Sequence, residues 1–509
     1  NTDTLAPPST STINGISFFQ KEEFFKPKKL EPYILFGPGH KYNSRTASLT
    51  SNRLSSLGTY KFVNIRFNEK DTSTTDSVGS LSADIYLSPL TKRSVRAELQ
   101  GVTKSNGFAG PGLAVTYNNR NLFRGGETFG ITGNFAYETQ LSGGKNTGLS
   151  SIAGGLKIDL IIPSLLPFSP RSFKYAVPKT KISLGTDFLK RSKLYTLSSF
   201  NTSFGYTWNA NRFVYHEINP INVNYVNLSN TTEEFTAILE NNPFLSQSFE
   251  QQFIAGLNYT FTYNELVDPN KTNPIFVSTN LDIAGNTLNL LSGSKTTIFG
   301  LEYAQYAKAD IDFRYYIKWA KEQALVARLY GGWGIPYGNS STLPFVKQFF
   351  SGGPYSVRAF NIRSLGPGTF NSVEDGTSSF FDQSGNLKLE ANLEYRFPIW
   401  SYFKGAIFAD AGNVWLTNEI DISEDESVES REFNEELLAK GKFGSDWAKE
   451  LGIGLGLGLR VDIQSFVLRF DFASPLQVPY QPEGERIRIP FFDGGSNNLI
   501  FNFAIGYPF

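Results

Sequence analysis

Cysteine is absent from this 509-residue sequence, and histidine occurs only twice, at His40 and His216. Disulfides, thiolate nucleophiles, zinc fingers and any site built from several imidazoles are thereby excluded. Lys+Arg and Asp+Glu both number 47, so the formal net charge is zero and no basic surface advertises a nucleic-acid partner. There is no run of about 18 apolar residues that could cross a bilayer as a helix. No Ser/His/Asp arrangement supports either histidine, so the expectation is a protein that is not an enzyme and uses no metal or cofactor.

Aromatic residues, by contrast, reach 15%, with 45 Phe and 24 Tyr, and there are 46 Gly. Abundant aromatics and glycine without hydrophobic runs suit alternating strands with one apolar face, as in transmembrane barrels with aromatic girdles. Composition alone fits a soluble all-β protein as well. The sequence opens at Asn1 without a signal peptide and reads as a mature or trimmed chain.

Residues 1–20 are rich in Ser, Thr and Pro and are expected to be a disordered lead-in. Residues 21–92 read as a small α+β module. Within it, Tyr33 to Phe36 is expected to form a short strand closed by Gly37-Pro38-Gly39, and Ser44 to Leu57 a helix with a Ser cap. Val63, Ile65 and Phe67 then alternate, as do Leu81, Ala83, Ile85 and Leu87, giving two further strands.

From residue 93 to 509 the pattern becomes a series of long amphipathic strands. Lys308, Asp310, Asp312, Arg314, Tyr316 and Lys318 share one parity, opposite Ala309, Ile311, Phe313, Tyr315, Ile317 and Trp319. Lys388, Glu390, Asn392, Glu394 and Arg396 likewise oppose Leu387, Leu389, Ala391, Leu393 and Tyr395. Charge is thus confined to one face, where it avoids the roughly 2–4 kcal/mol cost of Lys or Arg facing lipid at mid-bilayer. Alternation alone does not separate a barrel from a soluble sandwich, but strand number and loop asymmetry do.

Sixteen strands are expected, starting near 94, 110, 127, 150, 179, 195, 213, 252, 274, 303, 323, 386, 403, 450, 465 and 498. An even number closes an antiparallel barrel. Connections after strands 6, 10, 12 and 14 are tight and those after strands 7, 9, 11, 13 and 15 are long, so the first strand runs outward. The stretch 162–178 is an exception, long on the wrong side. Thr231 and Glu234 suggest a capping box for a surface helix running to about Glu240. Glu419, Asp421, Glu424, Asp425, Glu426, Glu429 and Glu432 could hold a divalent cation, but a solvated surface loop is the better reading. The fold class is therefore mainly β: a 16-stranded antiparallel transmembrane barrel behind one small α+β domain.

The longest connection, 337–385, contains Phe349-Phe350-Ser351-Gly352-Gly353-Pro354-Tyr355-Ser356-Val357-Arg358-Ala359-Phe360, then Leu365-Gly366-Pro367-Gly368. This resembles the sixth surface loop of the BamA/TamA superfamily of outer-membrane assembly and translocation proteins, whose tip carries Val-Arg-Gly-Phe or Tyr after a Gly-Gly pair. Leu393-Glu394-Tyr395-Arg396-Phe397-Pro398-Ile399 and Phe408-Ala409-Asp410-Ala411-Gly412-Asn413-Val414-Trp415 are similar to further segments of that family. Asn118-Asn119-Arg120-Asn121-Leu122-Phe123-Arg124-Gly125-Gly126 looks like its early periplasmic turn, and the N-terminal module looks like its final POTRA domain. The chain resembles a Bacteroidetes-type, TamA-like member. It departs from the tip pattern at Ala359, which resists positive φ where the family has Gly.

A long loop acts inside a barrel only if something anchors it there, and a planar, always-charged Arg facing a wall carboxylate is suited to the task. Arg358 is therefore expected to meet Asp410, with Glu394 or Glu390 nearby, in a loop motif that includes Gly352, Gly353, Val357, Ala359 and Phe360. Gly452, Gly454, Gly456 and Gly458 alternate with Ile453, Leu455, Leu457 and Leu459; with no strand-then-helix context for a phosphate loop, they are read as clearing space for the folded-in loop. The last residues, Leu499 to Phe509, alternate to a final Phe and resemble a C-terminal β-signal. Pro508 lacks a donor N–H, so the last strand is expected to pair poorly with the first, leaving a lateral seam lined by Val95, Ala97, Leu99, Gly506, Pro508 and Phe509.

The resemblance implies assembly, insertion or translocation of proteins at the bacterial outer membrane, with the N-terminal domain in the periplasm. Implied partners are unfolded outer-membrane or secreted protein substrates, the lipid bilayer and lipopolysaccharide, and periplasmic or lipoprotein accessory subunits, with no nucleic acid. The alternatives are a two-partner secretion-type transporter, which would normally show a plug helix that residues 1–20 do not resemble, and a passive porin or plugged receptor, which needs neither the soluble module nor the Arg358 loop.

Overall fold

The structure, a computed structural model, describes residues 9–70, 79–103, 108–140, 150–168, 177–240, 252–292, 297–298, 301–320, 322–371, 383–417, 428–463, 466–489, 491 and 499–509. An Asn-Gly pair between two alternating stretches is the strongest short-range hairpin signal, because both central turn positions take positive φ. Asn14 (φ 49°) and Gly15 (φ 75°) close such a turn between β1 (Ser9–Ile13) and β2 (Ile16–Gln20). The expectation of a disordered segment over 1–20 is corrected for residues 9–20: the Ser/Thr content that suggested disorder also suits strands with one wet face. Residues 1–8 lie outside the described residues.

The expected strand at Tyr33 to Phe36 is also corrected. Glu31–Tyr33 is a 3-10 turn with Pro32 in its first turn, where proline's fixed φ favours a helical start. Tyr33 instead enters a core with Phe18, Phe25, Leu30, Leu54, Leu57 and Tyr60. Helix α1 (Ser44–Ser56) is capped one residue earlier than expected, by the Asn43 side chain, which accepts from the Arg45 amide at 2.9 Å. It packs on the paired strands β3 (Tyr60–Glu69) and β4 (Leu81–Pro89), whose register sets Val63 against Leu87 and Ile65 against Ile85.

Sixteen strands follow in one antiparallel sheet whose order is the order of the chain. They are β5 (Arg93–Thr103), β6 (Phe108–Asn119), β7 (Thr128–Gln140), β8 (Ser150–Ile162), β9 (Lys179–Arg191), β10 (Tyr195–Asn209), β11 (Val214–Ser229) and β12 (Gln252–Asn264). The second half comprises β13 (Ile275–Ala284), β14 (Tyr306–Ala320), β15 (Gln323–Pro336), β16 (Leu387–Trp400), β17 (Phe403–Trp415), β18 (Gly452–Ile463), β19 (Phe466–Gln477) and β20 (Ile500–Ile505). The largest offset from the expected starts is three residues, at Tyr306 against 303.

Phe509, just beyond β20, packs on Tyr316 of β14 and Val326 of β15. In a flat sheet, with strands about 4.8 Å apart, the six steps from β14 to β20 would separate them by about 29 Å. The sheet therefore curls strongly, with a concave interior. Parity sorts the faces: Glu394, Asp410, Arg460 and Asp471 are buried inside, whereas Leu393, Ile407, Leu457 and Phe472 are exposed outside. The two ends of the sheet are β5 and β20, and no backbone ladder joins them among the described residues.

The anomalously long connection between β8 and β9 has a use on the side where it lies. Its Pro163 carbonyl accepts from the Tyr33 hydroxyl at 2.9 Å, and Val177 packs on the module core. Just past it, the Lys179 ammonium donates to the Ser56 carbonyl at 3.2 Å, so this connection is a docking surface for the N-terminal module. On the opposite side, α2 (Glu233–Glu240) is capped by Thr232, whose hydroxyl accepts from the Phe235 amide at 3.2 Å, and not by Thr231. Past α3 (Asn286–Ser292), the acidic run after β17 falls largely on residues 418–427, outside the described residues, and continues into α4 (Val428–Gly441).

Candidate functional site

The connection from β15 to β16 doubles back into the interior, and its turn depends on glycine. Gly352 (φ 97°) and Gly353 (φ 98°) lie in the left-handed region. A Cβ on Gly352 would stand 2.2 Å from the Asn361 carbonyl oxygen, so the turn admits no side chain there. The Gly353 amide donates to the Phe360 carbonyl at 2.9 Å, closing a tight tip that presents Val357, Arg358, Ala359 and Phe360, all buried.

Period-two alternation along β16 and β17 supplies the receiving wall, where register sets Asn392 beside Asp410 and Glu394 beside Phe408. Arg358, 1% exposed, donates to Asp410 twice, from Nε at 2.7 Å and from Nη2 at 2.9 Å, in the fork geometry that suits a carboxylate. Its backbone amide adds a third bond to Asp410 at 3.1 Å, and Asn392 Nδ2 a fourth at 2.9 Å. The remaining Nη1 reaches Glu394 at 2.5 Å, and the guanidinium lies 3.4 Å over the Phe408 ring. Glu390 does not touch Arg358. It accepts from the Ser356 and Ser351 hydroxyls and pairs with Lys388 at 2.9 Å, so it holds the stem of the same loop.

Ala359 needs no positive φ here, and its methyl group sits against the wall where β18 offers none. A Cβ on Gly454 would come 2.1 Å from Ala359 Cβ, and one on Gly452 would meet Leu365 at 2.7 Å. Gly456 leaves room for the Phe408 ring and Gly458 for Arg460 and Asp471. The glycine row is thus a recess shaped by the folded-in loop at one end and by wall side chains at the other.

The sequence reading missed Arg460, Arg469 and Asp471. Arg460 pairs with Asp471 at 2.5 Å and Glu394 at 3.4 Å; Arg469 donates to the Pro354 carbonyl at 2.7 Å. Parity could have found them, since Arg469 and Asp471 oppose Leu468, Phe470 and Phe472 in β19. Three arginines therefore face three carboxylates, Glu394, Asp410 and Asp471, all buried together. With Arg396 also reaching Glu394 at 2.7 Å, the cluster fixes one loop position: breaking a buried pair leaves an uncompensated charge.

Residues 121–509 match the model of the Omp85 superfamily domain. The chain belongs to the Omp85 superfamily. Over 161 residues, 30% of this chain, it is 27% identical to the outer membrane protein assembly factor BamA of Neisseria meningitidis serogroup B. That stretch spans 19% of the relative's length. Among solved structures, BamA from Haemophilus ducreyi lacking POTRA domains 1–3 aligns with a TM-score of 0.60 at 16% identity, covering 95% of this chain and 82% of that one. CdiB from Acinetobacter baumannii aligns with a TM-score of 0.50 at 13% identity, covering 94% and 71%. These two similarities show a shared fold.

In this Omp85 barrel the residues expected at the seam divide. Val95, Ala97 and Leu99 lie on β5 with their side chains outward, Val95 71% and Leu99 88% exposed. β20 ends at Ile505, and Gly506 (φ 92°) turns the chain away, so Pro508 and Phe509 are buried in the interior instead of lining a seam with β5. The structure thus does not bring the two groups together in one ladder.

A second constellation joins module to barrel at the turn between β6 and β7. Glu127 is buried and accepts from Lys29 Nζ at 2.6 Å and the Gly125 amide at 2.9 Å, while Asn121 Nδ2 donates to the Phe24 carbonyl at 2.7 Å. Burial pushes the Glu127 carboxyl up, but the Lys29 hydrogen bond and backbone amide bonds outweigh it and hold the group below its ordinary value.

Proposed function

We propose that this chain assists insertion or translocation of other proteins at the outer membrane, without enzymatic chemistry or a cofactor. The module at residues 21–92, read as POTRA-like, lies on the periplasmic side and receives an extended substrate. The seam between β5 and β20 then offers backbone donors and acceptors for the substrate to pair with. The observation that carries this reading is the absence of a ladder between the two end strands among the described residues, in a wall where every other neighbour is paired. Unpaired backbone groups at bilayer depth are costly, so such an edge is built to be covered by another strand. The similarity to a protein named as an outer membrane protein assembly factor supports the same reading.

The Arg358 loop acts as the anchor that keeps the interior filled on the β16–β20 side, so a substrate threading the lumen there would have to dislodge a buried ionic cluster. That favours the lateral route over lumenal secretion and over a passive pore. The test uses the absence of native cysteine: Val95→Cys with Ile505→Cys, the last residue of β20, oxidised and then reduced, in liposomes supplied with an unfolded barrel protein. Insertion that stops on oxidation and returns on reduction supports the lateral route, and insertion that continues in the locked protein contradicts it.

A further inference from the structure

The register of β19 and β20 sets Leu468 opposite Ile505, and the Gly506 amide donates to the Val467 carbonyl at 2.7 Å. In an antiparallel pair, hydrogen-bonded and non-hydrogen-bonded positions alternate. Because Gly506 and Val467 form the bonded kind, Ile505, Phe503 and Phe501 turn their N–H and C=O groups away from β19, toward the free edge. One of these edge acceptors is already occupied, and its donor comes from the interior loop: the Tyr355 hydroxyl bonds the Ile505 carbonyl at 2.8 Å.

We propose that Tyr355 is a positioning residue that holds the free edge of β20 unpaired until a substrate strand displaces it. This rests on the seam reading above and extends it by naming the group that sets the resting state. Tyr355 is held from beneath, with the Arg469 guanidinium 4.8 Å from its ring centre and donating to the neighbouring Pro354 carbonyl at 2.7 Å. The loop also grips β20 from its inner face, where Asn502 Nδ2 donates to the Arg358 carbonyl at 2.8 Å. Beyond Ile505 the chain is drawn inward under Arg396, which lies 4.4 Å from the Tyr507 ring centre and 5.5 Å from that of Phe509 and donates to the Phe509 carbonyl at 3.3 Å. Loop anchor, edge cap and inward tail are therefore linked, since Arg358 and Arg396 both reach Glu394 and Arg358 and Arg469 both lie beside Asp471.

A carbonyl left without a donor at a lipid-facing edge strongly favours pairing with the next strand. A hydroxyl that satisfies it removes that incentive without adding a strand, and so keeps the edge open. A strand arriving to extend the pairing past Ile505 competes with one hydroxyl group, an exchange of one hydrogen bond for another. Displacing Tyr355 also loosens the loop side that carries Arg358, which links the arrival of substrate to the anchor.

The test reads seam pairing without any substrate. Val95→Cys with Ile505→Cys is placed in the full-length chain in membranes, and the rate of disulfide formation is compared with and without Tyr355→Phe, which keeps the ring over Arg469 and removes only the hydroxyl. Loss of one neutral hydrogen bond is expected to raise the crosslinking rate about fivefold, and Tyr355→Ala is expected to raise it further. Heat-resistant gel mobility identifies folded barrel, so only folded protein is scored. An unchanged rate in folded Tyr355→Phe overturns the proposal, even if the Val95–Ile505 lock still blocks insertion. A raised rate supports it even if insertion assays fail, so the two readings fail separately.

Discussion

Replacing Arg358 by Ala should release the interior loop. The side chain gives two hydrogen bonds to Asp410, at 2.7 and 2.9 Å, one to Glu394 at 2.5 Å, and a stacked contact on Phe408 at 3.4 Å. After its loss Glu394 retains Arg396 at 2.7 Å and Arg460 at 3.4 Å, but among the described residues Asp410 retains only neutral donors, the Asn392 amide at 2.9 Å and the residue 358 backbone at 3.1 Å. Removing one partner of a buried pair costs about 3–5 kcal/mol. With Glu394 largely compensated, the lower end applies, about 3 kcal/mol, which at 1.4 kcal/mol per decade shifts the docked loop more than about a hundredfold toward release. Limited proteolysis of the folded barrel and a urea midpoint read this directly. Asp410→Asn alone should also destabilise, and the double variant should cost less than the sum by more than about 1 kcal/mol, because the two side chains share one interaction. Strict additivity, or an Arg358→Ala loop that resists protease like the parent, would refute the reasoning.

The recess at Gly454 is equally specific: Gly454→Ala places a methyl group 2.1 Å from Ala359 Cβ, should cost about 1–3 kcal/mol by overpacking, and should be largely rescued by Ala359→Gly when urea midpoints are compared. At the module joint, the depressed Glu127 carboxyl stabilises docking above the ordinary carboxylate range and loses that contribution as pH falls through its lowered folded-state value. Module docking, followed by hydrogen exchange at the Lys26 amide that donates to Arg124, should therefore weaken on acidification, and Glu127→Gln should be weak at neutral pH with a flatter profile. Thr232→Ala should remove the cap of α2 and speed exchange in Glu233–Glu240 by an amount corresponding to about 1 kcal/mol, whereas Thr231→Ala should leave it unchanged.

Period-two parity made the wall legible, because a strand between lipid and a wet interior must segregate charge at every second residue, and β14 and β16 do so over their whole lengths. Parity also puts Asp410 on the inner face, but its meeting with Arg358 depends on how deeply a 50-residue connection re-enters, which no local pattern states. Ser/Thr-rich composition concealed the hairpin at Ser9–Gln20, although Asn14-Gly15 announced it. Arg469 and Asp471 were hidden in a strand whose phenylalanines, Phe466, Phe470 and Phe472, dominate the pattern. The stretch 162–178 looked misplaced because a packing partner, Tyr33, lies far away in sequence. The inward turn at Gly506 leaves no sequence signal beyond the glycine and Pro508, since it is held by Arg396, more than a hundred residues earlier.

The most direct test of the seam is to ask which wall positions touch a client while it is being inserted. A photo-crosslinking side chain is placed singly at Leu99 on β5, at Phe503 on β20, and at Ile311 on the outer face of β14 as a lipid-facing control. Adducts to an arrested client at Leu99 and Phe503, with none at Ile311, are the predicted result. Equal labelling at all three sites, or none at the two edge strands, would contradict the account.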